Sequence, residues 1–227
     1  MEVTMYDKLL LLPLFQGLGK QDFTTILEKV KFHFQKFAEN SYLAKQGDKC
    51  NSIIFILDGK IKAARQDEHL GYILSEITDG APFVLEPYSL FGMNPNYTAT
   101  YTAVTDSSVV SIDKRDVLRV LNKFEIFQLN YLNLLSNHAQ TLATKIWNAN
   151  SGSNVLDKIL AFLQRRCLIP KGEKHLKIRM EDFAALTGET RINISKELNA
   201  LKNKKLISLS RKEITIPDRE ELINKAR

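Results

Sequence analysis

The sequence predicts an α+β chain: a β-rich N-terminal half, a long helix, and a small C-terminal domain of helices closed by a hairpin. Three observations carry this. From about Phe32 to Ile112, short strand-like runs alternate with turn residues, a spacing that suits a small antiparallel barrel or sandwich. From Phe124 to Asn150 there is neither Gly nor Pro, and apolar residues recur at three- and four-residue intervals. From Arg179 to Lys205 the pattern reads as two helices joined by a tight turn, with two short alternating strands after it.

The bulk properties agree. A chain of 227 residues can build one large or two ordinary domains, and 44% apolar with 26% charged residues is a globular composition. No apolar run approaches the roughly 20 residues that span a bilayer. Leu9 to Leu14 is apolar but short and lacks a small-residue cleavage site, so no signal peptide is read and a cytoplasmic location is expected. Cys50 and Cys167 make neither a disulfide framework nor a metal-ligand set. The net charge of +6 is unevenly placed: residues 1–150 carry 15 Lys+Arg and 16 Asp+Glu, whereas residues 151–227 carry 17 and 10. The whole positive excess therefore lies in the C-terminal third. Such asymmetry is expected when one domain meets phosphate and the other does not.

Taken in order, residues Tyr6 to Val30 read as helical, with Pro13 and Gly17-Leu-Gly19 breaking the segment. Gln46-Gly-Asp48 is a turn. Asp58-Gly59, between Ile53-Ile-Phe-Ile-Leu57 and the alternating Lys60-Ile-Lys-Ala63, has the signature of a hairpin. Further strands are expected at Gly71–Ile77, Pro82–Glu86, Tyr97–Val104 and Ser108–Ile112, and a short helix from Asp113 to about Leu121. In the long helix (about 124–150), Leu132, Leu135, Ala139, Leu142 and Ile146 form a heptad-like seam, and Tyr131, Leu134, His138 and Thr141 a neighbouring stripe. One stripe can pack on the sheet while the seam meets a second subunit. Ser151-Gly-Ser153 is the expected break between a domain at 1–150 and one at 151–227. Val155 to Cys167 is an amphipathic helix, and His175–Ile178 a short strand.

In the two-helix stretch, Phe183 and Leu186 give the first helix one apolar face, and Gly188 is placed for a left-handed C-terminal cap. Thr190 is placed to cap the second helix. At about 100° per residue, Ile194, Leu198 and Leu201 share its inner face, and Arg191, Ser195, Asn199 and Lys202 lie opposite, flanked by Ile192 and Lys196. Leu206–Ser210, a basic turn at Arg211-Lys212, and Glu213–Pro217 then form a hairpin, followed by a helix capped by Asp218. This is a winged helix-turn-helix, the layout that offers one helix to a DNA major groove and a basic turn to the phosphates. An ordinary helical hairpin with a solvated polar face shares the apolar pattern.

The order of parts resembles the Crp/Fnr superfamily of bacterial transcription regulators over essentially the whole chain. The marks are Pro13-Leu-Phe15, Gly17-Leu18, Gln46-Gly-Asp48, Ile56-Leu-Asp-Gly59, the helix-turn-helix above, and Lys205-Leu-Ile207 before the wing. The resemblance implies a cyclic-nucleotide-binding-like β-roll, or jelly roll, and a homodimer formed through the long helix. It also implies double-stranded, pseudo-palindromic DNA as partner, with half-sites about one helical turn apart, and contact with RNA polymerase. It puts the base-contacting positions at Arg191, Ile192 and Lys196, with Ser195 between and Thr190, Asn199 and Lys202 on the same surface. Arg191 can donate two bonds to guanine. Many relatives carry glutamate where this chain has Ile192, so its preferred site is expected to differ from the well-known family consensus.

Cyclic-nucleotide members share a cassette of Gly-Glu followed by Arg-Ser/Thr-Ala, in which Arg neutralises the cyclic phosphate. Here the corresponding residues are Leu85-Glu86 and Tyr97-Thr98-Ala99, so Glu86, Tyr97 and Thr98 are the candidate effector residues. Tyrosine offers one neutral donor, and an unpaired buried phosphate costs several kcal/mol. Cyclic-AMP binding in the usual mode is therefore not expected. Two distant cysteines cannot supply an iron–sulfur cluster, His69 and His138 lack the context of haem ligands, and no cofactor is assigned. The sequence holds no nucleophile elbow, metal-spaced cluster or phosphate-binding loop, so no enzyme is expected. A second function class is a ligand-sensing or interaction module whose basic domain does not read DNA sequence. Loss of binding with rising salt separates the two.

Overall fold

The computed structural model describes residues 5–78, 80–147, 154–169 and 171–226. In chain order they form α1 (Met5–Leu10), α2 (Lys20–Lys29), β1 (Phe32–Phe37), β2 (Tyr42–Ala44), β3 (Ser52–Asp58), β4 (Ile61–Asp67), β5 (Tyr72–Ile77), β6 (Phe83–Leu85), β7 (Thr100–Ala103) and β8 (Ser107–Asp113). There follow α3 (Lys114–Arg119), α4 (Glu125–Trp147), α5 (Val155–Arg166), β9 (Lys174–Lys177), α6 (Met180–Thr187), α7 (Arg191–Asn203), β10 (Ser208–Ser210), β11 (Glu213–Ile216) and α8 (Arg219–Ala226). Single turns of 3-10 helix sit at Pro87–Ser89 and Leu121–Lys123. Among the described residues, no helix is long and apolar enough to cross a membrane. The expected Ser151–Ser153 break, and Asn148–Asn150 of the expected long helix, lie outside the described residues.

Two compact units form, and neither is contiguous in sequence. One holds Met1–Ile61 and Gly80–Thr141, the other Lys62–Asp79 and Leu142–Arg227. The first unit is built on the antiparallel sheet β1-β8-β3-β6. In it Phe55 of β3 lies opposite Val110 of β8, and Ile54 opposite Leu85 of β6. In the same unit β2 pairs antiparallel with β7. Phe15, from the Pro13-Leu-Phe15 mark, is fully buried, with its ring centroid 5.6 Å from those of both Phe55 and Phe127. That triad ties the N-terminal segment, the sheet and the start of α4 into one core. Asn130 of α4 adds a polar tie by donating to the Leu14 and Gln16 carbonyls at 3.3 and 2.8 Å.

The hairpin expected across Asp58-Gly59 does not form. Strand β3 pairs with β6 and β8, and β4 pairs with β5. The turn signal was sound, because Gly59 has φ +100° and a Cβ there would lie 2.2 Å from Ser107 Oγ. What the local pattern did not hold was the partner of each strand, which long-range pairing decides.

The second unit contains the five-stranded order β10-β11-β9-β5-β4. Its core gathers Ile159, Leu163, Phe183, Ile194, Leu198, Leu201, Leu176 and Ile214, and it also includes Tyr72 and Leu74 of β5. The strand pair β4–β5, which falls inside the expected 1–150 domain, thus packs with the C-terminal helices. The physical reason is edge pairing: β5 offers β9 a partner strand, with Ile73 opposite Lys177 and Glu76 opposite Lys174.

Candidate nucleic-acid interface and effector cassette

The helix-turn-helix is assembled by local chemistry. Gly188 ends α6 in the left-handed conformation (φ 65°, ψ 38°), and its N–H reaches back to the last turn. Three residues later α7 begins, and the Thr190 side chain accepts from the Asn193 N–H at 3.2 Å. Phe183, Ile194, Leu198 and Leu201 are buried, so the inner faces of both helices are consumed by the core. Glu189 in the turn is braced from α5: Lys158 Nζ donates to it at 2.6 Å and Asn193 Nδ2 at 3.2 Å. The Lys158 hydrogen bond, helped by Asn193, holds the Glu189 carboxyl below the usual carboxylate range. Sequence reasoning missed this brace, since Lys158 and Glu189 are 31 residues apart.

The outer face of α7 carries the expected residues together. Thr190, Arg191, Ile192, Lys196, Asn199 and Lys202 are exposed and Ser195 is half-buried. Ile192 is 78% exposed, a large apolar side chain on a polar surface. Arg191 meets Glu181 at 3.5 Å, an exposed contact that holds it weakly. Asn199 folds its amide onto the Ser195 carbonyl at 2.8 Å, so it must turn out to reach a base. Beside the helix, the two-residue turn Arg211-Lys212 closes β10–β11, with Lys212 at φ 61°. The Lys212 carbonyl accepts from the Ile178 N–H at 3.0 Å, which pins the basic turn to the end of β9.

Three charged side chains of the second unit were not singled out from sequence. Glu76 is fully buried; it accepts from Arg65 at 3.0 Å and from the backbone N–H groups of Leu168 and Ile169 at 2.9 Å each. Lys174 is also fully buried and donates to the Lys171 and Gly172 carbonyls at 2.6 and 2.7 Å. Burial pushes its amine below the usual lysine range, while Glu76 pulls it the other way. Lys145 reaches the Cys167 carbonyl at 2.6 Å. Glu76 had one signal in the sequence: a carboxylate inside the otherwise apolar run Tyr72-Ile-Leu-Ser-Glu-Ile77.

In the first unit the cassette residues also meet. Both carboxylate oxygens of Glu86 accept from the Thr98 N–H, at 2.9 and 3.1 Å, and one accepts from the Thr98 hydroxyl as well. Glu86 and Tyr97 are buried and Thr98 is exposed. The Tyr97 hydroxyl is engaged with Cys50 and Ser52, and burial together with Cys50 raises its pKa far above the ordinary value. It is a neutral group turned into the core. His138 stacks on Tyr88 with ring centroids 3.9 Å apart.

On α4 the two stripes separate in part. Tyr131, Leu134 and His138 are half-buried, whereas Thr141 of the same stripe is exposed, and the Tyr131 hydroxyl donates to the Pro87 carbonyl at 2.7 Å. The seam faces out: Leu132, Ala139, Leu142 and Ile146 are exposed and Leu135 is half-buried. Trp147 extends the same uncovered apolar character to the end of the helix.

Comparison with known proteins completes the assignment. Residues 34–124 match the family described as "Cyclic nucleotide-binding domain", and residues 157–225 match "Crp-like helix-turn-helix domain". The chain is 24% identical over 206 residues to the cyclic AMP receptor protein of Thermus thermophilus, an alignment covering 87% of this chain and 88% of that one. The crystal structure of the Thermus thermophilus catabolite activator protein shares the fold, with a TM-score of 0.52 and 21% identity over 95% of this chain and 100% of that one. The β-roll, the winged helix-turn-helix and these matches together make the chain a member of the Crp/Fnr family of DNA-binding transcription regulators.

Proposed function

We propose that the protein is a homodimeric regulator that reads a pseudo-palindromic site through α7, with a base preference of its own. The observation that carries this is Ile192. A 78% exposed isoleucine on a basic recognition surface is apolar area that a partner gains by burying. A thymine methyl in the major groove does so. Arg191 and Lys196 supply guanine or phosphate contacts on either side, and Arg211-Lys212 a backbone contact from the wing. Glutamate at this position would accept from cytosine N4, which isoleucine cannot do. In selection from random duplexes, Ile192→Glu is expected to change the preferred base at one position per half-site. An unchanged preference would mean that the helix enters the groove in another orientation. The seam on α4 supports the dimer, and contact with RNA polymerase is the route to transcription that family membership suggests.

The cassette supports a sensor that does not take cyclic AMP in the usual mode. The Thermus relative is named for that ligand, but here Tyr97 stands where the family's arginine pairs the phosphate. The Thr98 N–H is already taken by the Glu86 carboxylate. A phosphate entering this cradle would have to displace an internal anion, and Tyr97 offers no positive charge in place of the arginine. Titration calorimetry with cyclic AMP is expected to show no micromolar binding; a micromolar isotherm would overturn this reading.

A further inference from the structure

We infer that the second unit holds a site for a small oxyanion between Lys145, in the last turn of α4, and Arg219, the first residue of α8. The two side chains come from distant parts of the sequence and converge on one atom. Lys145 Nζ donates to the Cys167 carbonyl at 2.6 Å, and Arg219 Nη1 donates to the same oxygen at 3.4 Å. A carbonyl has two lone pairs and can accept both bonds, but it is neutral and leaves both charges uncompensated. Arg219 Nε is buried and has no hydrogen-bond partner among the described residues. A charged donor left in that state is costly, and an anion relieves the cost.

The surroundings sharpen the imbalance. Arg65 adds positive charge near Lys145, and Lys174 near Arg219. Lys174 is fully buried and, like the other two, is met by backbone carbonyls. Glu76 and Asp218 answer these cations only in part. Glu76 is already engaged by Arg65 and by the Leu168 and Ile169 N–H groups, and Asp218 accepts from the Glu221 N–H. The Cys167 thiol is no substitute: burial, with Glu76, pushes it up to about 12, so it stays neutral. Burial, and then the charge of Arg219, lowers the Lys145 amine from the usual lysine range. A bound anion favours the charged amine again.

The chemistry selects the ligand. With Nη1 on a carbonyl, the guanidinium keeps its Nε–Nη2 edge, the fork that takes two oxygens of a phosphate or a carboxylate. Lys145 supplies a compact point charge beside it. Both side chains are half-buried, so a small ion reaches them from solvent, and Arg219 turns its edge to meet it. The buried Nε favours a free ion over the phosphate of a duplex, whose backbone cannot follow it inside. Neither residue belongs to the α7 surface or the wing. The bound ion ties the end of α4 to the start of α8 and, through Cys167, to the cap of α5. It is an effector site outside the β-roll cassette.

The test uses full-length protein without DNA, titrated at constant ionic strength with inorganic phosphate and, separately, with acetate. Calorimetry is expected to show one saturable site per chain, with a dissociation constant of about 1 mM or below for at least one probe. The probe that binds tells a phosphate head group from a carboxylate; no saturable binding of either below about 10 mM would overturn the site. Lys145→Gln and Arg219→Lys are each expected to weaken binding about tenfold, the second because lysine keeps the charge and loses the fork. Wild-type affinity in both would overturn it. Arg191→Gln, on the α7 surface, is expected to lose DNA affinity and keep the anion isotherm. Loss of the isotherm there would put the ion on the DNA-reading surface instead, so the two readings fail separately. Should the Lys145 and Arg219 variants not fold, hydrogen exchange of the wild-type protein decides. Saturating probe is expected to slow exchange about threefold or more in residues 142–147 and Arg219–Ala226. Slowing confined to α7 and the wing would overturn the assignment.

Discussion

Replacing Leu132 and Ile146 together by aspartate is expected to give a folded monomer that binds operator DNA about a hundredfold or more weakly. Both side chains are uncovered in the single chain, at 59% and 75% exposure, so the substitutions remove nothing from its core. In α4 only Phe127 is fully buried, and it lies near the start of the helix. The remaining length displays Leu129, Leu132, Leu142, Ile146 and Trp147 outward, an apolar stripe on a 23-residue helix. Such a stripe has the character of the seam proposed for the dimer. Aspartate at two of its positions would bury an unpaired charge at each crossing, which the pair cannot tolerate. The affinity loss follows because a palindrome is held by two linked reading units, and a monomer keeps one. Sedimentation velocity checks the first half and salt-matched gel shifts the second. A double variant that sediments as a dimer would show that the seam lies elsewhere.

Phe183→Ala is expected to destabilise the DNA-reading unit by about 3–5 kcal/mol. Phe183 is fully buried, and its ring centroid lies 5.0 Å from that of Phe162. Its neighbours in the core include Leu198 and Leu201 of the recognition helix and Ile214 of the wing. Removing the ring leaves a cavity where α5, α6 and α7 meet. A loss of that size is a large share of an ordinary domain's stability, so DNA binding should fail well below the unfolding temperature of the β-roll. Denaturant titration followed by circular dichroism, with hydrogen exchange to locate the loss, measures it. A cost under about 1 kcal/mol would mean that this residue is not the keystone of the helix-turn-helix.

The helix-turn-helix was legible because its signals are local. Gly188 announced a left-handed cap, Thr190 an N-cap, and the spacing of Ile194, Leu198 and Leu201 an inner face, and each holds in the structure. Asp218 likewise caps the last helix by accepting from the Glu221 N–H at 2.9 Å. The two stripes of α4 were legible from periodicity for the same reason. What stayed hidden was long-range. Asp58-Gly59 carries the composition of a hairpin, but nothing near it says that β3 pairs with β8, some fifty residues on. The strand Tyr72–Ile77 looks like any β-roll strand, and only its pairing with β9 places it behind the wing. The burial of Glu76 and Lys174 was hidden because their backbone partners lie in a segment without regular structure. The cassette was legible only through resemblance. Spacing alone says nothing of why Glu86 and Thr98 meet.

The most direct measurement is selection of random double-stranded DNA by the purified full-length protein, without cyclic nucleotide, followed by sequencing. A dimeric reader of its own site should enrich an inverted repeat whose half-sites lie about 34 Å apart, roughly one helical turn. Binding to the enriched duplex should fall steeply with salt as the basic unit displaces counterions. The enriched half-site should place a thymine where Ile192 enters the groove. Enrichment of no sequence, or of the unaltered family consensus, would contradict it.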